Sequence, residues 1–211
     1  MTTTPTRTPT TGERSASDPR VSGLLLVGAL VVVMWVVEVV NAVDDYSLDR
    51  YGIRPRATDG LDGIALSPFL HGSWSHLIGN TVPFVVLGGV IALSGLARVA
   101  AVTVMVAAIG GAGVWLFAPS NTLHIGASGV VFGYAGYLVA RGLFTRSLLH
   151  LGVGAVVAVI WGTTLLSGLV PHDGISWQGH LFGGLGGVVA ARVLSPKRAE
   201  TPAGGPDPFA V

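Results

Sequence analysis

Three short groups of polar residues interrupt apolar segments of the chain, and their types and spacing could support chemistry. His76 and Asn80 are four residues apart, so on a helix both side chains project from one face and can donate to one oxygen. Ser128 lies in the sequence Gly-Ala-Ser-Gly of residues 126–129. At a helix start there, unpaired N–H groups and the positive dipole end would suit a nucleophile beside an anion site. His180 begins another apolar run, and histidine has the pKa of a general base near neutrality.

Together these groups favour acyl transfer. Ser128 would attack a carbonyl carbon, His180 would accept and return the proton, and the Ser128 N–H with His76 and Asn80 would stabilise the oxyanion. No carboxylate lies one turn from His180, which favours a dyad over a triad. The absence of cysteine excludes a thiol nucleophile and thiolate metal sites, and no metal or organic cofactor is predicted.

Each group also has a simpler interpretation. Ser128 alone matches a short glycine-serine pattern that arises by chance in a glycine-rich chain. His76 and Asn80 could form an interhelical hydrogen bond, and His180 could be a packing or ion-path residue. All three groups fall at the same depth on the same predicted side, which favours a shared site.

The composition indicates a membrane protein. Of 211 residues, 50% are hydrophobic, 31 are glycine and only 11% are charged, whereas a soluble domain has about 25% charged residues. The expected surroundings are therefore the lipid bilayer. The net charge of +1 excludes the strongly basic surface of a nucleic-acid-binding protein.

Six apolar runs predict an all-α polytopic membrane protein with a bundle of six transmembrane helices. The runs cover residues 23–41, 77–95, 98–118, 128–143, 149–169 and 180–195. They define a membrane domain over residues 21–195, flanked by tails at 1–20 and 196–211 whose composition predicts disorder. No small-residue cleavage site follows the first run, which is expected to remain as an anchor.

The charges predict an orientation in the cell membrane. Nine of the twelve Lys and Arg residues fall on the side of both termini, so both termini are predicted to be cytoplasmic. The other side has Arg50, Arg54 and Arg56 and six aspartates, Asp44, Asp45, Asp49, Asp59, Asp62 and Asp173. Most of these lie in a loop over residues 42–75, which is expected to lie along the membrane surface with at most short helices.

Glycines predict how the site would be assembled. They recur every four residues in two places, a pattern that allows membrane helices to approach closely, at positions 129 and 133 and at positions 179, 183 and 187. Contact between these two stretches would bring Ser128 within hydrogen-bond reach of His180.

With these motifs the chain resembles the rhomboid family of intramembrane serine proteases. The resemblance spans residues 50–195 and rests on His71-x4-His76-x3-Asn80, on GASGVVFGYAGYL over 126–138 and on SWQGHLFGGLGG over 176–187. It implies a compact six-helix bundle that opens to the extracellular side, with the first loop embedded in the outer leaflet. It also implies Ser128 as nucleophile, His180 as base, and His76 and Asn80 as oxyanion donors.

Gly126, Phe132 and His71 are the further predicted binding-site residues. Phe132 stands where the family often has a tyrosine that stacks on the base, so stacking is retained without the hydroxyl. His71 matches the family's first loop histidine and would either stabilise the loop or relay water. The Trp-Arg pair that many members have in the first loop is not evident in residues 51–56, so loop anchoring is expected to differ.

Two other ionisable residues lie close to the predicted site or within a predicted span. His124 is a rival base four residues before Ser128, although it precedes the predicted helix and the resemblance favours His180. Glu38, near the outer end of the first run, is interpreted as an interfacial group or a partner of a loop arginine, with a gating role as the alternative.

The leading functional hypothesis is an intramembrane serine endopeptidase that cuts single-span membrane proteins in or near the outer half of the bilayer. The resemblance also leads us to expect small residues at the cleavage site. One alternative is a rhomboid-like protein that binds membrane clients without proteolysis, although such relatives usually lack the serine or the histidine. Another is a small ion-coupled transporter, which would predict an internal repeat. The sequence predicts no oligomeric state.

Overall fold

The computed structural model describes residues 18–172 and 174–195, and this part of the chain is helical, as predicted. The α-helices are α1 (Pro19–Val43), α2 (Gly63–Leu66), α3 (Trp74–Ala92), α4 (Leu96–Phe117), α5 (Ser128–Thr145), α6 (Leu148–Ser167) and α7 (Trp177–Leu194). Both predicted tails lie outside the described residues except for Asp18, which caps α1, and positions 19 and 20, which begin it; Asp173 also lies outside the described residues.

Four of these helices, α1, α3, α4 and α6, are long and apolar enough to cross a membrane. α5 and α7 have 18 residues each, and both begin at the polar groups identified from the sequence. By length and composition alone, the described part of the chain therefore supports four membrane spans instead of the six predicted.

Serine side chains define the starts of three helices. Ser73 accepts a hydrogen bond from the His76 N–H at 3.2 Å at the start of α3, Ser147 caps α6, and Ser176 accepts from the Gly179 N–H at 3.2 Å at the start of α7. Each hydroxyl satisfies an N–H group that has no partner within its helix. The polar residues that precede the apolar runs therefore determine where these helices begin.

α5 and α7 pack backbone to backbone because glycines face each other. A Cβ atom added to Gly183 would overlap the Gly129 carbonyl oxygen, and one added to Gly187 would overlap the Gly133 carbonyl oxygen. No other residue fits in so little space, so the predicted small-residue contact is present. α4 packs on α7, and α6 packs on α5.

The bundle has two ends that differ in chemistry. At the first, here called the Ser128 end, α3, α5 and α7 begin, α1, α4 and α6 end, and residues 44–73 cover the helix termini. The opposite end is here called the Arg141 end; there Arg141 donates to Ser94 Oγ at 2.8 Å and Arg98 donates to the Leu194 carbonyl.

Residues 44–73 form a folded cover with only short helices, as predicted. They contain α2 and three short 3₁₀-helices, Ser47–Tyr51, Thr58–Gly60 and Ser67–Phe69. Ile53 exchanges two backbone hydrogen bonds with His124, at 2.9 and 3.0 Å, which join this cover to the segment that precedes α5.

Candidate active site

Ser128 and His180 form a hydrogen-bonded pair at the start of α5 and α7. Ser128 Oγ lies 2.9 Å from His180 Nε2, and His180 Nδ1 lies 2.7 Å from the Gly168 carbonyl oxygen at the end of α6. A carbonyl can only accept a hydrogen bond, so the neutral ring has its proton on Nδ1. The lone pair of Nε2 therefore faces the Ser128 hydroxyl, as a general base requires.

The His180 ring is fixed on its face as well as at its edge. Phe132, one turn after Ser128, stacks on it with ring centroids 4.0 Å apart and planes 6° from parallel. Gly168 closes the other approach, because a Cβ atom there would lie 2.5 Å from Phe132 and 2.9 Å from His180 Nδ1. The predicted stacking is present, and the base has one orientation.

His76 and Asn80 lie against the backbone that leads into α5. Gly126 has a φ of +109°, which favours glycine, and a Cβ atom there would lie 2.6 Å from the His76 ring and 3.8 Å from Asn80 Nδ2. The Gly126 N–H donates to the Ser67 carbonyl at 2.8 Å, which holds this turn in place. Gly126 therefore allows the histidine and the asparagine to approach Ser128.

A single open cavity contains the reactive groups. It has a volume of about 700 Å³, and its lining includes Ser128, His180, His76 and Asn80. Asn80 Nδ2 donates one hydrogen to the His76 carbonyl at 3.0 Å, and its amide has a second hydrogen to offer. The first N–H groups of α5 have no partner within the helix. The arrangement therefore brings together a hydroxyl, an imidazole and several hydrogen-bond donors, which are the groups that acyl transfer requires.

His71 connects the cover to the segment before Ser128. Its Nε2 accepts the Ala127 N–H at 3.3 Å, and its carbonyl accepts from Asn41 Nδ2 at 3.4 Å. Burial, followed by the nearby charge of His76, lowers the pKa of His71 from 6.5 to about 4, so the ring stays neutral and keeps its acceptor. Of the two roles predicted for His71, these contacts favour stabilisation of the loop.

His124, the rival base, is bonded elsewhere. Its Nδ1 lies 2.6 Å from Ser176 Oγ and its Nε2 lies 2.7 Å from Thr122 Oγ1. Burial lowers the pKa of His124, which favours the neutral ring in this position. The Nδ1 contact thus joins the segment before α5 to the start of α7, the Nε2 contact stays within that segment, and Ser128 is bonded to His180 instead.

Arg56 and Trp115 anchor the cover in a way that sequence reasoning missed. The Arg56 guanidinium donates to the Leu116 and Ala118 carbonyls at 2.9 and 2.7 Å and to Ser120 Oγ at 2.6 Å. The Trp115 indole N–H donates to the Ala57 carbonyl at 2.9 Å. Trp115 and Arg56 are far apart in sequence, so the sequence alone showed only that residues 51–56 lack the adjacent Trp-Arg pair of many family members.

Glu38, near the end of α1, is fully buried among the helices. Neither of its carboxyl oxygens has a hydrogen-bond partner among residues 18–172 and 174–195. Its neighbour one turn along α1, Asn41, donates to Asp49 Oδ1 at 2.9 Å and so belongs to the network of the cover.

Comparison with known proteins decides the family. The sequence model of the Rhomboid domain matches residues 60–197, which is more than half of the chain. This chain is a member of the rhomboid family. All seven predicted site residues of the rhomboid lie within the matched range, whereas Glu38 and Asn41 precede it.

Relatives of this rhomboid occur in bacteria. An uncharacterized protein of Mycobacterium tuberculosis is 41% identical over 203 residues, which cover 91% of this chain and 83% of the relative. An uncharacterized protein of Mycobacterium leprae is 42% identical over 179 residues, covering 80% and 70%. A Bacillus subtilis protein named "Putative rhomboid protease YdcA" is 26% identical over 130 residues, covering 61% and 65%.

Proposed function

We propose that this rhomboid is an intramembrane serine endopeptidase that hydrolyses peptide bonds of single-span membrane proteins. The observation that carries the proposal is the 2.9 Å contact between Ser128 Oγ and His180 Nε2. The fixed tautomer of His180 and the donors around Gly126 support it. The family supports it too, since one relative is named as a protease of this family.

In the first half of the reaction, Ser128 Oγ forms a bond to the substrate carbonyl carbon while its proton passes to His180 Nε2. The resulting oxyanion accepts hydrogen bonds from the Ser128 N–H, Asn80 and His76. His180 then gives its proton to the leaving nitrogen as the C–N bond breaks, which leaves an acyl ester on Ser128.

In the second half, water attacks the ester carbon and gives a proton to His180. The carbon–Oγ bond breaks, the proton returns to Ser128, and the carboxylic acid product departs. The open cavity of about 700 Å³ offers water a path to the dyad from the Ser128 end. Gly168 O stabilises the imidazolium at both stages, because it accepts from His180 Nδ1 at 2.7 Å.

The shape beside Ser128 favours small substrate side chains. A second cavity of about 40 Å³ lies next to Ser128, with Gly110, Gly111 and Ala107 in its lining. This volume suits a glycine or alanine residue at the cleavage site and excludes a large aromatic side chain.

The proposed placement in the membrane has six spans, with both termini in the cytoplasm. α5 and α7 would be the two spans that pure hydropathy misses, since each begins with polar site residues and packs through glycines. The excess of Lys and Arg at the Arg141 end favours that end inside and the Ser128 end outside.

The test is cleavage of a reporter transmembrane segment in liposomes. Ser128→Ala and His180→Ala are each expected to lower kcat/KM by about 10³-fold or more, because the nucleophile and its base act as a unit. Ser75→Ala is the matched control, since this exposed serine lines the same cavity and bonds only to Ser73 within the described chain. It should cut at the wild-type rate.

The opposite results have distinct meanings. If both dyad variants cut as well as the wild type, the assignment of the dyad is wrong. If the folded wild type neither cuts reporters nor reacts at Ser128 with a fluorophosphonate, the non-proteolytic, client-binding alternative replaces the protease.

A further inference from the structure

The geometry points to a binding site for an anionic phospholipid at the Arg141 end, between α3, α5 and α6. It is a different part of the molecule from the cavity that contains Ser128. The inference is therefore independent of the proposed protease activity.

The site is a cavity with walls that match acyl chains. It has a volume of about 290 Å³, and its apolar lining consists of Val90 on α3, Leu93 directly after α3, Leu138 on α5, and Leu149 and Val153 on α6. Leu149 and Leu93 are 74% and 56% exposed, so the cavity continues into the outer surface of the bundle. In a membrane this surface faces lipid, and an acyl chain can enter from the side.

Polar groups lie at one edge of the cavity, where a headgroup would be. They are Arg141, His150 and Ser94. The Arg141 guanidinium uses one of its five N–H donors on Ser94 Oγ at 2.8 Å, which orients it and leaves donors for a phosphate. His150 is positioned by Thr145, whose Oγ1 lies 3.0 Å from His150 Nδ1 and donates to the Arg141 carbonyl at 2.8 Å.

The surrounding charges favour an anionic over a zwitterionic headgroup. Five arginines lie at this end in the described part of the chain, Arg20, Arg98, Arg141, Arg146 and Arg192, whereas the carboxylate described there is Asp18. A phosphate diester with no compensating choline would lower the repulsion among these groups.

The apolar walls favour a lipid over a free phosphate. A phosphate ion would contact Arg141 and leave the valine and leucine walls of the cavity empty. A phospholipid fills both parts and bridges α3 to α6, a helix that packs mainly on α5.

Native mass spectrometry of the full-length protein in detergent tests the inference. The probes are dioleoylphosphatidylglycerol, here called the glycerol lipid, dioleoylphosphatidylcholine, here called the choline lipid, and inorganic phosphate. The wild type is expected to bind the glycerol lipid about tenfold more tightly than the choline lipid, as a charge-assisted hydrogen bond allows. Arg141→Gln should remove most of that preference.

Arg20→Gln is the matched control, because it removes the same charge from the same end without lining the cavity. It should keep the preference. Equal losses in Arg141→Gln and Arg20→Gln would overturn the site in favour of diffuse surface charge. A wild type without preference, or one in which millimolar phosphate displaces the glycerol lipid, would overturn it as well.

A second variant tests the apolar part and serves if Arg141→Gln does not fold. Leu149→Trp places a large side chain at the exposed mouth of the cavity and changes no charge. Binding of the glycerol lipid should weaken about tenfold, since the indole occupies acyl-chain space. Unchanged binding would show that the cavity does not hold the lipid.

Discussion

The two ends of the bundle treat polar side chains in opposite ways. Apart from the tyrosines in the middle of α5, the polar and charged side chains that are buried in the described part of the chain lie at the Ser128 end: Glu38, Asn41, Ser67, His71, Asn80, His124, Gln178 and His180. At the Arg141 end the arginines stay half-exposed or exposed and interact with helix ends, as when Arg98 donates to the Leu194 carbonyl.

This difference shows at which end of the bundle the fold positions polar side chains before any substrate binds. Burying a polar group is unfavourable unless it is hydrogen-bonded, so each buried histidine needs a fixed partner. The backbone of Ala127 bonds to His71, the hydroxyl of Ser176 bonds to His124, and the carbonyl of Gly168 bonds to His180. The Ser128 end thus holds its histidines in fixed positions, whereas the arginines of the Arg141 end stay partly or fully exposed.

Among the variants that test this comparison of the two ends, Asn80→Ala is expected to lower the cleavage rate most. Loss of one oxyanion donor typically lowers the rate by about 10² to 10³-fold. The measurement is kcat/KM on a reporter segment in liposomes. Thr81→Val is the control on the same helix. Thr81 donates to the Leu77 carbonyl and accepts from Trp35, and neither partner lines the cavity that contains Ser128. Equal rates in the two variants would remove Asn80 from the reaction.

A smaller effect, on stability, is expected from Gly183→Ala. The new Cβ atom would overlap the Gly129 carbonyl oxygen, so α5 and α7 must separate. Overpacking of this kind costs about 1–3 kcal/mol. The thermal midpoint in detergent should fall, and cleavage should fall with it because Ser128 and His180 lie on these two helices.

Gly152→Ala is the matched control for this variant. Gly152 lies near the Arg141 end of α6, and within the described chain a Cβ atom added there would meet no neighbouring atom within 4 Å. Alanine should therefore leave stability equal or slightly higher. If both glycine variants behave alike, close packing of α5 on α7 does not hold the site together.

The smallest expected effect is a change in pH dependence through His71. Its pKa is about 4 in the folded protein against 6.5 for the free side chain, so the unfolded chain binds more protons between these values. The stability from neutral His71 is therefore complete above about pH 6.5 and is lost as the pH falls toward 4. Thermal midpoints in detergent should show this decline in the wild type.

His71→Gln should flatten that decline, because glutamine keeps an acceptor for the Ala127 N–H and does not titrate. His172→Gln, at an exposed loop position, is the control and should keep the wild-type slope. An unchanged slope in His71→Gln would place the titrating group elsewhere.

Much of the fold followed from hydropathy and spacing. The apolar runs predicted the six long helices to within a few residues at most ends, and serine caps account for several starts. Prediction was weaker where partners are distant in sequence. The clamp of Arg56 on the end of α4, the His124 contact with Ser176 and the burial of Glu38 depend on loops that meet only in three dimensions.

The sequence by itself determined that this chain is a helical membrane protein with Ser128, His180, His76 and Asn80 as its candidate reactive groups. It could do so because polar residues are costly in an apolar segment and glycine spacing reports helix contact. Only the tertiary structure decided that His180 and not His124 bonds to Ser128, and which ring nitrogen has the proton. Those outcomes depend on Gly168 and Ser176, whose positions are determined by how the helix ends come together.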